Sequence, residues 1–330
     1  MSEKPDSSRP SVNALAAPLV EALVARRVEL RLGLSYVEQG ATLIDAGISA
    51  QGGMEAGRRI AEICMGGLGT ARLRASTNSD RWTWHVDVHA THPVLACLGC
   101  QYAGWRLEHG AGESAFRALG SGPARAMGSS ETLFDEIHYR DRFDSTCLVL
   151  ETHAVPPVEL VKDICRKCAI YEEDLTLILT PTSSLAGTVQ IVARVLETAL
   201  HKAHALQFPL ECIVDGAGSA PICPPSPGQL TAMSRTNDAI LFAGQVQLFV
   251  DAEDADADDL ARRLPSSSSS DYGRPFGEVF KAANFDFYKI DPMLFSPACV
   301  TVSSLRSGRS FHAGRKDLRL LDESFSREFG

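Results

Sequence analysis

The sequence has no run of 18 apolar residues, the length that a membrane-spanning helix needs, and no cluster of lysine and arginine. It also lacks the Gly-Lys-Ser or Gly-Lys-Thr of a phosphate-binding loop. The formal net charge is −9 and the isoelectric point lies near 5.5. Binding to phosphate backbones requires clustered positive charge. We therefore expect no nucleic-acid partner, no membrane partner and a cytoplasmic location.

The nine cysteines are an odd number scattered along 330 residues, which predicts reduced thiols and not a disulfide framework. Two Cys-x-x-Cys pairs, at positions 97/100 and 165/168, lie too far apart in the sequence for a compact zinc ribbon. The second pair falls on the apolar face of a helical pattern, where packing explains both thiols. We expect no metal at either pair.

A histidine-rich segment offers a different metal hypothesis. His85, Asp87 and His89 would point to one face of a strand, and His92 follows closely. The same alternation is typical of a strand with one solvated face. The acidic residues 251–259 do not fit a calcium loop, because glycine is missing where the tight turn needs it, and they predict a solvated turn and a helix start.

A glycine-rich turn at residues 120–126 predicts an entry into a helix, with proline near the first helical position. It does not complete a dinucleotide fingerprint. Backbone amides at such a helix start, here near Ser121 and Gly122, can hold an anion, and Arg125 would add a positive charge. These three residues are candidate substrate ligands.

The most informative segment is a helical pattern that begins after Pro181. At about 100° per residue, Gln190, Arg194, Glu197 and His201 share one stripe. The opposite side is apolar and contains Leu185, Val189, Val192, Leu196 and Ala203. Arg194 and Glu197 are three residues apart, so the guanidinium favours the ionised carboxylate and the pair is a candidate catalytic centre. Taken alone, the pattern favours a half-buried helix with an ordinary surface ion pair worth a few tenths of a kcal/mol.

The chain predicts a mixed α/β (α+β) fold in one large or two medium domains. Residues 1–13 predict a flexible tail, 14–140 a first α/β domain, 141–250 a second α/β domain with the catalytic helix, and 251–330 a C-terminal segment that packs back on the first domain. The five consecutive serines 266–270 predict a short low-complexity linker. Predicted helices cover 14–32, 54–65, 157–169, 228–236, 256–263 and 274–283. Predicted strands cover 41–49, 82–90, 145–151, 175–180, 240–250 and 297–303.

Longer blocks of sequence, in order from about residue 14 to the end, closely resemble the methenyltetrahydromethanopterin cyclohydrolase family. The blocks are Ile44-Asp-Ala-Gly47, Glu55-Ala-Gly57, residues 62–69, His92-Pro93, residues 96–99, Ala103-Gly-Trp105, residues 120–126, Pro181-Thr182, Ala193-Arg-Val195, Glu197-Thr198, Thr236-Asn-Asp238, residues 264–267, Asp271-Tyr-Gly273, residues 286–291 and residues 295–298. Such a set is far more specific than any single motif.

The resemblance implies a hydrolase that adds water to the cationic methenyl bridge of a tetrahydromethanopterin and forms the 5-formyl compound, or closes the ring in reverse. It implies a two-domain subunit with the reduced pterin in a cleft between the domains, no cofactor, and homo-oligomers, with a trimer as the expected form. A methylotrophic bacterium that oxidises formaldehyde is the expected source.

The family's catalytic glutamate and its arginine partner correspond to Glu197 and Arg194. Gln190 and His201 are candidates to orient water or pterin, with a plain packing or solvent-facing role as the alternative. Asn237-Asp238 is a candidate pair for the pterin ring, with a helix end as the alternative. Two other functions remain open at this point: a reduced-pterin-binding protein without catalysis, and a metal-dependent hydrolase built on the histidine-rich segment.

Overall fold

The computed structural model describes residues 9–37, 40–76, 81–112, 115–286 and 289–329. The chain forms two compact units, and each draws on two segments of sequence. The first unit contains the chain up to Leu68 together with Leu95–Gly187, and the second contains Gly69–Val94 together with the chain from Thr188 on. The continuous domain segments inferred from the sequence stay a prediction. The mixed α/β class is confirmed, because each unit holds one mixed six-stranded sheet.

The sheet of the first unit has the order β1-β2-β8-β7-β6-β5. Its strands are β1 (Gly33–Tyr36), β2 (Thr42–Asp45), β5 (Trp105–His109), β6 (Phe116–Ser121), β7 (Thr146–Glu151) and β8 (Leu175–Leu179). The three central strands β2, β8 and β7 are parallel, and the outer pairs are antiparallel. Parallel strands are usually covered on both faces, which explains the nearly continuous apolar runs of β7 and β8.

Helices pack on both faces of this sheet. The helices of this unit are α1 (Val12–Ala25), α2 (Met54–Cys64), α3 (Ala124–Gly128), α4 (Leu133–Glu136) and α5 (Val158–Cys168), and the boundary between the units falls inside α6 (Leu185–Val192), after Gly187. One core joins α5 to the face that carries Leu148 and Leu177, and a second core joins α1 and α2 to the face that carries Val149 and Ile178. The predicted tail ends earlier than expected, because α1 already begins at Val12. Residues 1–8 of that tail lie outside the described residues.

The sheet of the second unit has the order β12-β11-β10-β9-β4-β3. Its strands are β3 (Gly69–Ala75), β4 (Trp84–Ala90), β9 (Ile213–Pro221), β10 (Gln245–Val250), β11 (Cys299–Ser304) and β12 (Ser310–Gly314). Its α-helices are α7 (Val195–Ala205), α8 (Gln229–Ala243), α9 (Asp254–Arg263), α10 (Phe276–Ala282) and α11 (Leu318–Ser326). None of the helices in the described ranges is long and apolar enough to cross a membrane.

Several sequence-based boundaries need correction. The helix predicted at 228–236 continues to Ala243, so β10 begins at Gln245 and not at residue 240. The serine run is not a linker: Ser266 is fully buried and its hydroxyl donates to the Leu241 carbonyl over 2.6 Å. Asn13 is also buried and donates to the Asp141 carboxylate. In the last two cases a contact distant in sequence determines the local structure.

Candidate functional site

The predicted catalytic helix is two helices and not one. α6 ends at Val192, α7 begins at Val195, and Arg194 is the N-cap residue of α7. The Arg194 N–H donates to the carbonyl of Ile191, three residues back, over 3.0 Å, so the regular four-residue ladder is interrupted there. The uninterrupted helix inferred from the sequence is therefore wrong. Glu197 lies in the first turn of α7, at the positive end of its backbone dipole.

The start of α7 is pressed against the glycine-rich strand β9. A Cβ atom at Gly218 would lie 2.9 Å from Val195 Cγ1, and one at Gly216 would lie 2.9 Å from Leu196 Cδ1. Real Cβ contacts are not that short, so only glycine permits this approach of helix and strand. We attribute the helix break to this packing, which fixes Val195 and Leu196 independently of α6. The alternating glycines 216 and 218 were the available signal in the sequence, but the strand was not predicted.

The three central residues of the predicted stripe belong to the second unit and are buried. Arg194 is 7% exposed, Glu197 is 5% exposed and Gln190 is fully buried. Arg194 Nη2 donates to Gln190 Oε1 over 3.3 Å, which confirms that these two side chains share one side. The alternative of an exposed surface ion pair is wrong. Buried charges are costly unless they are paired and hydrogen-bonded, so a buried arginine three residues before a buried glutamate marks a specialised position.

His201 lies one turn beyond Glu197 on α7 and is half-buried. Burial lowers the pKa of its imidazole, and the nearby His204 adds a smaller effect in the same direction. The ring is therefore neutral at neutral pH, and it can both donate and accept a hydrogen bond. This is compatible with the predicted role in orienting water or pterin, which stays a prediction.

Asn237 and Asp238 lie inside α8, so the alternative of a helix end is wrong. Asn237 is half-buried, and its Nδ2 donates to the Met233 carbonyl over 2.8 Å. Asp238 is fully buried and accepts from the Phe276 N–H over 2.9 Å and the Ser324 hydroxyl over 2.6 Å. Burial raises the pKa of Asp238 to about 7, against the effect of its hydrogen bonds. Asp238 thus ties α8 to the start of α10 and to α11, and a bond to pterin would have to share this occupied carboxylate.

The candidate anion site of the first unit is also occupied by protein groups. The Gly122 N–H donates to the Cys100 carbonyl over 2.8 Å. Arg125 is fully buried and binds Glu131 through two hydrogen bonds, Nε to Oε1 at 3.0 Å and Nη2 to Oε2 at 2.6 Å. Ser121 is fully buried, with its hydroxyl 3.6 Å from a cysteine sulfur. The structure thus gives Arg125 an internal ion pair, while the predicted substrate contacts of these residues stay untested.

The histidine-rich segment does not assemble a metal site. Asp87 accepts from Arg74 Nε over 2.6 Å, and His89 Nε2 lies 3.0 Å from Asp215 Oδ1. His85 is buried, which lowers its pKa. Within the described residues, no group of three or more histidine, cysteine, aspartate or glutamate side chains is placed to hold a metal ion. The metal-dependent hydrolase alternative therefore has no support in the geometry.

The cysteine pairs are explained by packing. Cys97 and Cys100 lie in a buried π-helical segment, Val94–Gln101, and Cys165 and Cys168 lie on the buried face of α5. Burial raises the pKa of Cys100 and of Cys168 to about 12, which keeps both thiols protonated. All nine cysteines lie in the described ranges, and none of them forms a disulfide.

Comparison with known proteins agrees with the resemblance seen in the sequence. A family model described as Cyclohydrolase (MCH) matches residues 11–325. A Methylobacillus flagellatus protein named methenyltetrahydromethanopterin cyclohydrolase is 58% identical over 316 residues, covering 96% of this chain and 95% of that protein. A protein of the same name from Xanthobacter autotrophicus is 59% identical over 315 residues, covering 96% and 92%. One from Methanosarcina mazei is 39% identical over 321 residues, covering 96% and 98%.

A match over nearly the whole chain, with two relatives above 50% identity, shows the family. The chain belongs to the methenyltetrahydromethanopterin cyclohydrolase family of hydrolases.

Proposed function

We propose that this protein interconverts 5,10-methenyltetrahydromethanopterin and 5-formyltetrahydromethanopterin by adding water to the cyclic amidinium, and that Glu197 and Arg194 form its catalytic pair. The observation that carries the proposal is the burial of both charged side chains at the junction of α6 and α7, in a chain whose relatives are named for this reaction. A non-catalytic pterin-binding protein would have no need for a buried base at such a position.

Glu197 acts as the general base. The bridge carbon of the amidinium is already electrophilic, so a positioned water and a proton acceptor suffice. Glu197 takes one proton from water as the water oxygen bonds to the bridge carbon. It then delivers that proton to nitrogen 10 as the bond between the bridge carbon and nitrogen 10 breaks. The hydroxyl on the former bridge carbon releases the second proton to solvent as the formyl carbonyl forms. The carboxylate charge also favours the cationic substrate over the neutral product.

Arg194 holds the carboxylate ionised and oriented. Arg194 lies between the end of α6 and the first turn of α7, three residues before Glu197. Its guanidinium donates to the Gln190 side chain, which restrains it. A guanidinium stays charged at every pH of interest and donates in a fixed plane, which suits it to orient a carboxylate. Gln190 therefore supports the pair through Arg194.

The remaining assignments are part of the same proposal. The chemistry needs no metal and no nucleotide cofactor, since the substrate carries its own positive charge. Gln190, His201 and Asn237 are the residues we expect nearest to water or pterin. Relatives from Methylobacillus and Xanthobacter support a place in the one-carbon metabolism of methylotrophs, in formaldehyde oxidation. We further propose a cytoplasmic homo-oligomer, with a trimer as the expected form.

The proposal is tested by product analysis. Purified protein, dialysed against a chelator, is mixed with methenyltetrahydromethanopterin in water enriched in ¹⁸O, the loss of the methenyl absorbance is followed, and the product is examined by mass spectrometry and NMR. We expect fast turnover, a formyl group on nitrogen 5 and one ¹⁸O in that group. Tight binding of the substrate with no turnover would identify a binding protein, and activity that the chelator abolishes would restore the metal hypothesis.

A further inference from the structure

A fully buried lysine lies on the same helix as the proposed base. Lys202 is five residues after Glu197 on α7, about 7.5 Å along the helix axis at 1.5 Å per residue. Its Nζ donates three hydrogen bonds: to the Pro265 carbonyl over 2.8 Å, to the Ser268 hydroxyl over 2.8 Å and to the Met293 carbonyl over 2.7 Å. An ammonium has three donors, and each of them has a partner here.

These partners are neutral. Among the described residues, no carboxylate forms an ion pair with Lys202, and Asp291 acts on it only as a nearby charge. Burial lowers the pKa of Lys202 to about 8, and Asp291 opposes this shift. An ammonium buried without a counterion is costly, and an apolar side chain of similar length would be cheaper to bury. The buried ammonium is therefore stable at this position only with its three hydrogen bonds.

The bonds join α7 to two short turns that are distant in sequence. Pro265 precedes the 3-10 turn Ser266–Ser268, and Met293 lies in the 3-10 turn Pro292–Leu294. The turns are also bonded to each other, because the Ser269 hydroxyl donates to Asp291 Oδ2 over 2.7 Å. The serine run that resembled a linker is thus a fixed platform, which we define as residues 265–270 and 291–294.

We propose that Lys202 is a positioning residue for Glu197: it locks the C-terminal half of α7 onto this platform and thereby fixes the direction in which the Glu197 carboxylate points. This inference rests on the proposed function of Glu197. The strand β9 fixes where the start of α7 lies, through Gly216 and Gly218. α7 is also packed further along, since Leu200 in the next turn is fully buried, but apolar contacts have little directional preference. The three hydrogen bonds of the ammonium are directional, so they restrain rotation of the helix about its axis.

Lys202→Met tests the proposal, because methionine has a similar length and removes all three bonds. We expect the kcat for methenyl hydrolysis to fall about tenfold to a hundredfold, as a displacement of the base by up to 1 Å would cause, with KM changed by less than about threefold. A KM effect without a kcat effect, in folded protein, would contradict the assignment. Wild-type protein without turnover would instead defeat the proposed function itself.

The pH profile separates positioning from general loss of structure. The titrating group is the Lys202 ammonium, and the charged group that acts on it is the Asp291 carboxylate. Deprotonation removes one of the three donors, so the wild-type kcat, corrected for uncatalysed hydrolysis, should fall as pH rises through about 8. Lys202→Met should have a low kcat with no such decrease. A variant that keeps the wild-type alkaline limb would overturn the proposal.

Two serine variants keep the test informative if Lys202→Met fails to fold. Ser268→Ala removes one partner of the ammonium, whereas Ser307→Ala removes an exposed hydroxyl outside the platform, which bonds to Asp254. We expect a smaller loss of kcat, about threefold to tenfold, in folded Ser268→Ala and wild-type kcat in Ser307→Ala. Equal kcat in the two variants would contradict the role of Lys202.

Discussion

Replacement of Gly218 by alanine tests whether the close approach of β9 positions the proposed catalytic pair, Arg194 and Glu197. A Cβ atom there would lie 2.9 Å from Val195 Cγ1 and 3.3 Å from the Leu196 nitrogen. Nonbonded carbon atoms pack at about 3.5–4.0 Å. Because Val246 Cγ2 lies 3.2 Å away on the sheet, the added methyl has no free direction, and the start of α7 has to move outward by about 0.5–1 Å.

The expected effects follow from that displacement. Overpacking of this kind lowers the free energy of unfolding by about 1–3 kcal/mol, which denaturant titration measures. The carboxylate of Glu197 moves with the first turn of α7, so kcat should fall about tenfold to a hundredfold while the affinity for pterin changes less. The assay is the decrease of the methenyl absorbance under saturating substrate.

Two further variants make the result specific. Gly228→Ala is the same chemical change at a position with room, since the nearest atom to its Cβ would be 3.6 Å away, and it should leave kcat unchanged. Val195→Ala removes Val195 Cγ1, the atom nearest to a Cβ atom at position 218. The double variant Gly218→Ala/Val195→Ala should therefore recover part of the kcat that Gly218→Ala loses. Wild-type kcat in Gly218→Ala, or no recovery in the double variant, would refute this account of the helix start.

Other predictions concern charges and metals. The folded-state pKa of Asp238, about 7, lies above its unfolded value, so its contribution to stability is complete below about pH 4 and is lost as pH rises through 7. Asp238→Asn should therefore gain stability relative to wild type between about pH 4 and pH 7, by at most about 4 kcal/mol in urea titrations; a constant difference would contradict this. Arg125→Ala leaves Glu131 without its bidentate partner and should cost about 3–5 kcal/mol of unfolding free energy, with an unchanged KM in any folded fraction. A raised KM would instead favour substrate contact. His89→Ala breaks only the bond to Asp215, so kcat should match wild type before and after chelation; a large loss would revive the metal hypothesis.

Elements with strong local periodicity were predictable from the sequence. The helices α2 and α5 and the strands β4, β7 and β8 were predicted to within about two residues, because the spacing of their apolar side chains is set by the element itself. The family and the mixed α/β class were likewise accessible, the first from long blocks of resemblance and the second from the mixture of helical and strand patterns.

Features that depend on contacts distant in sequence were not predictable. The strand β9 is too rich in glycine to have a strand pattern, and the break before Val195 follows from packing on that strand. The five serines 266–270 look like a linker by composition, but four of their hydroxyls donate to backbone carbonyls or to Asp291. Lys202 gave no signal, since a single lysine on a helix is ordinary until its burial is known.

The same division holds within the candidate site. Arg194 and Glu197 were found from their spacing together with the resemblance, and the structure adds that both are buried and that they begin a new helix. Asp238 and Arg125 were chosen for their chemical type; the structure shows polar atoms of both bonded within the protein, and their contacts with substrate stay a prediction. Residue type alone does not distinguish a ligand-binding group from an internal one.

The most direct test of the central claim is the single-turnover rate of Glu197→Gln with methenyltetrahydromethanopterin, compared with wild type after metal removal. The amide keeps the shape of the side chain and removes the base, so we predict normal binding of substrate and a rate lower by about 10²–10⁴. A Glu197→Gln protein that binds substrate and hydrolyses it at the wild-type rate would contradict the assignment of Glu197 as the base.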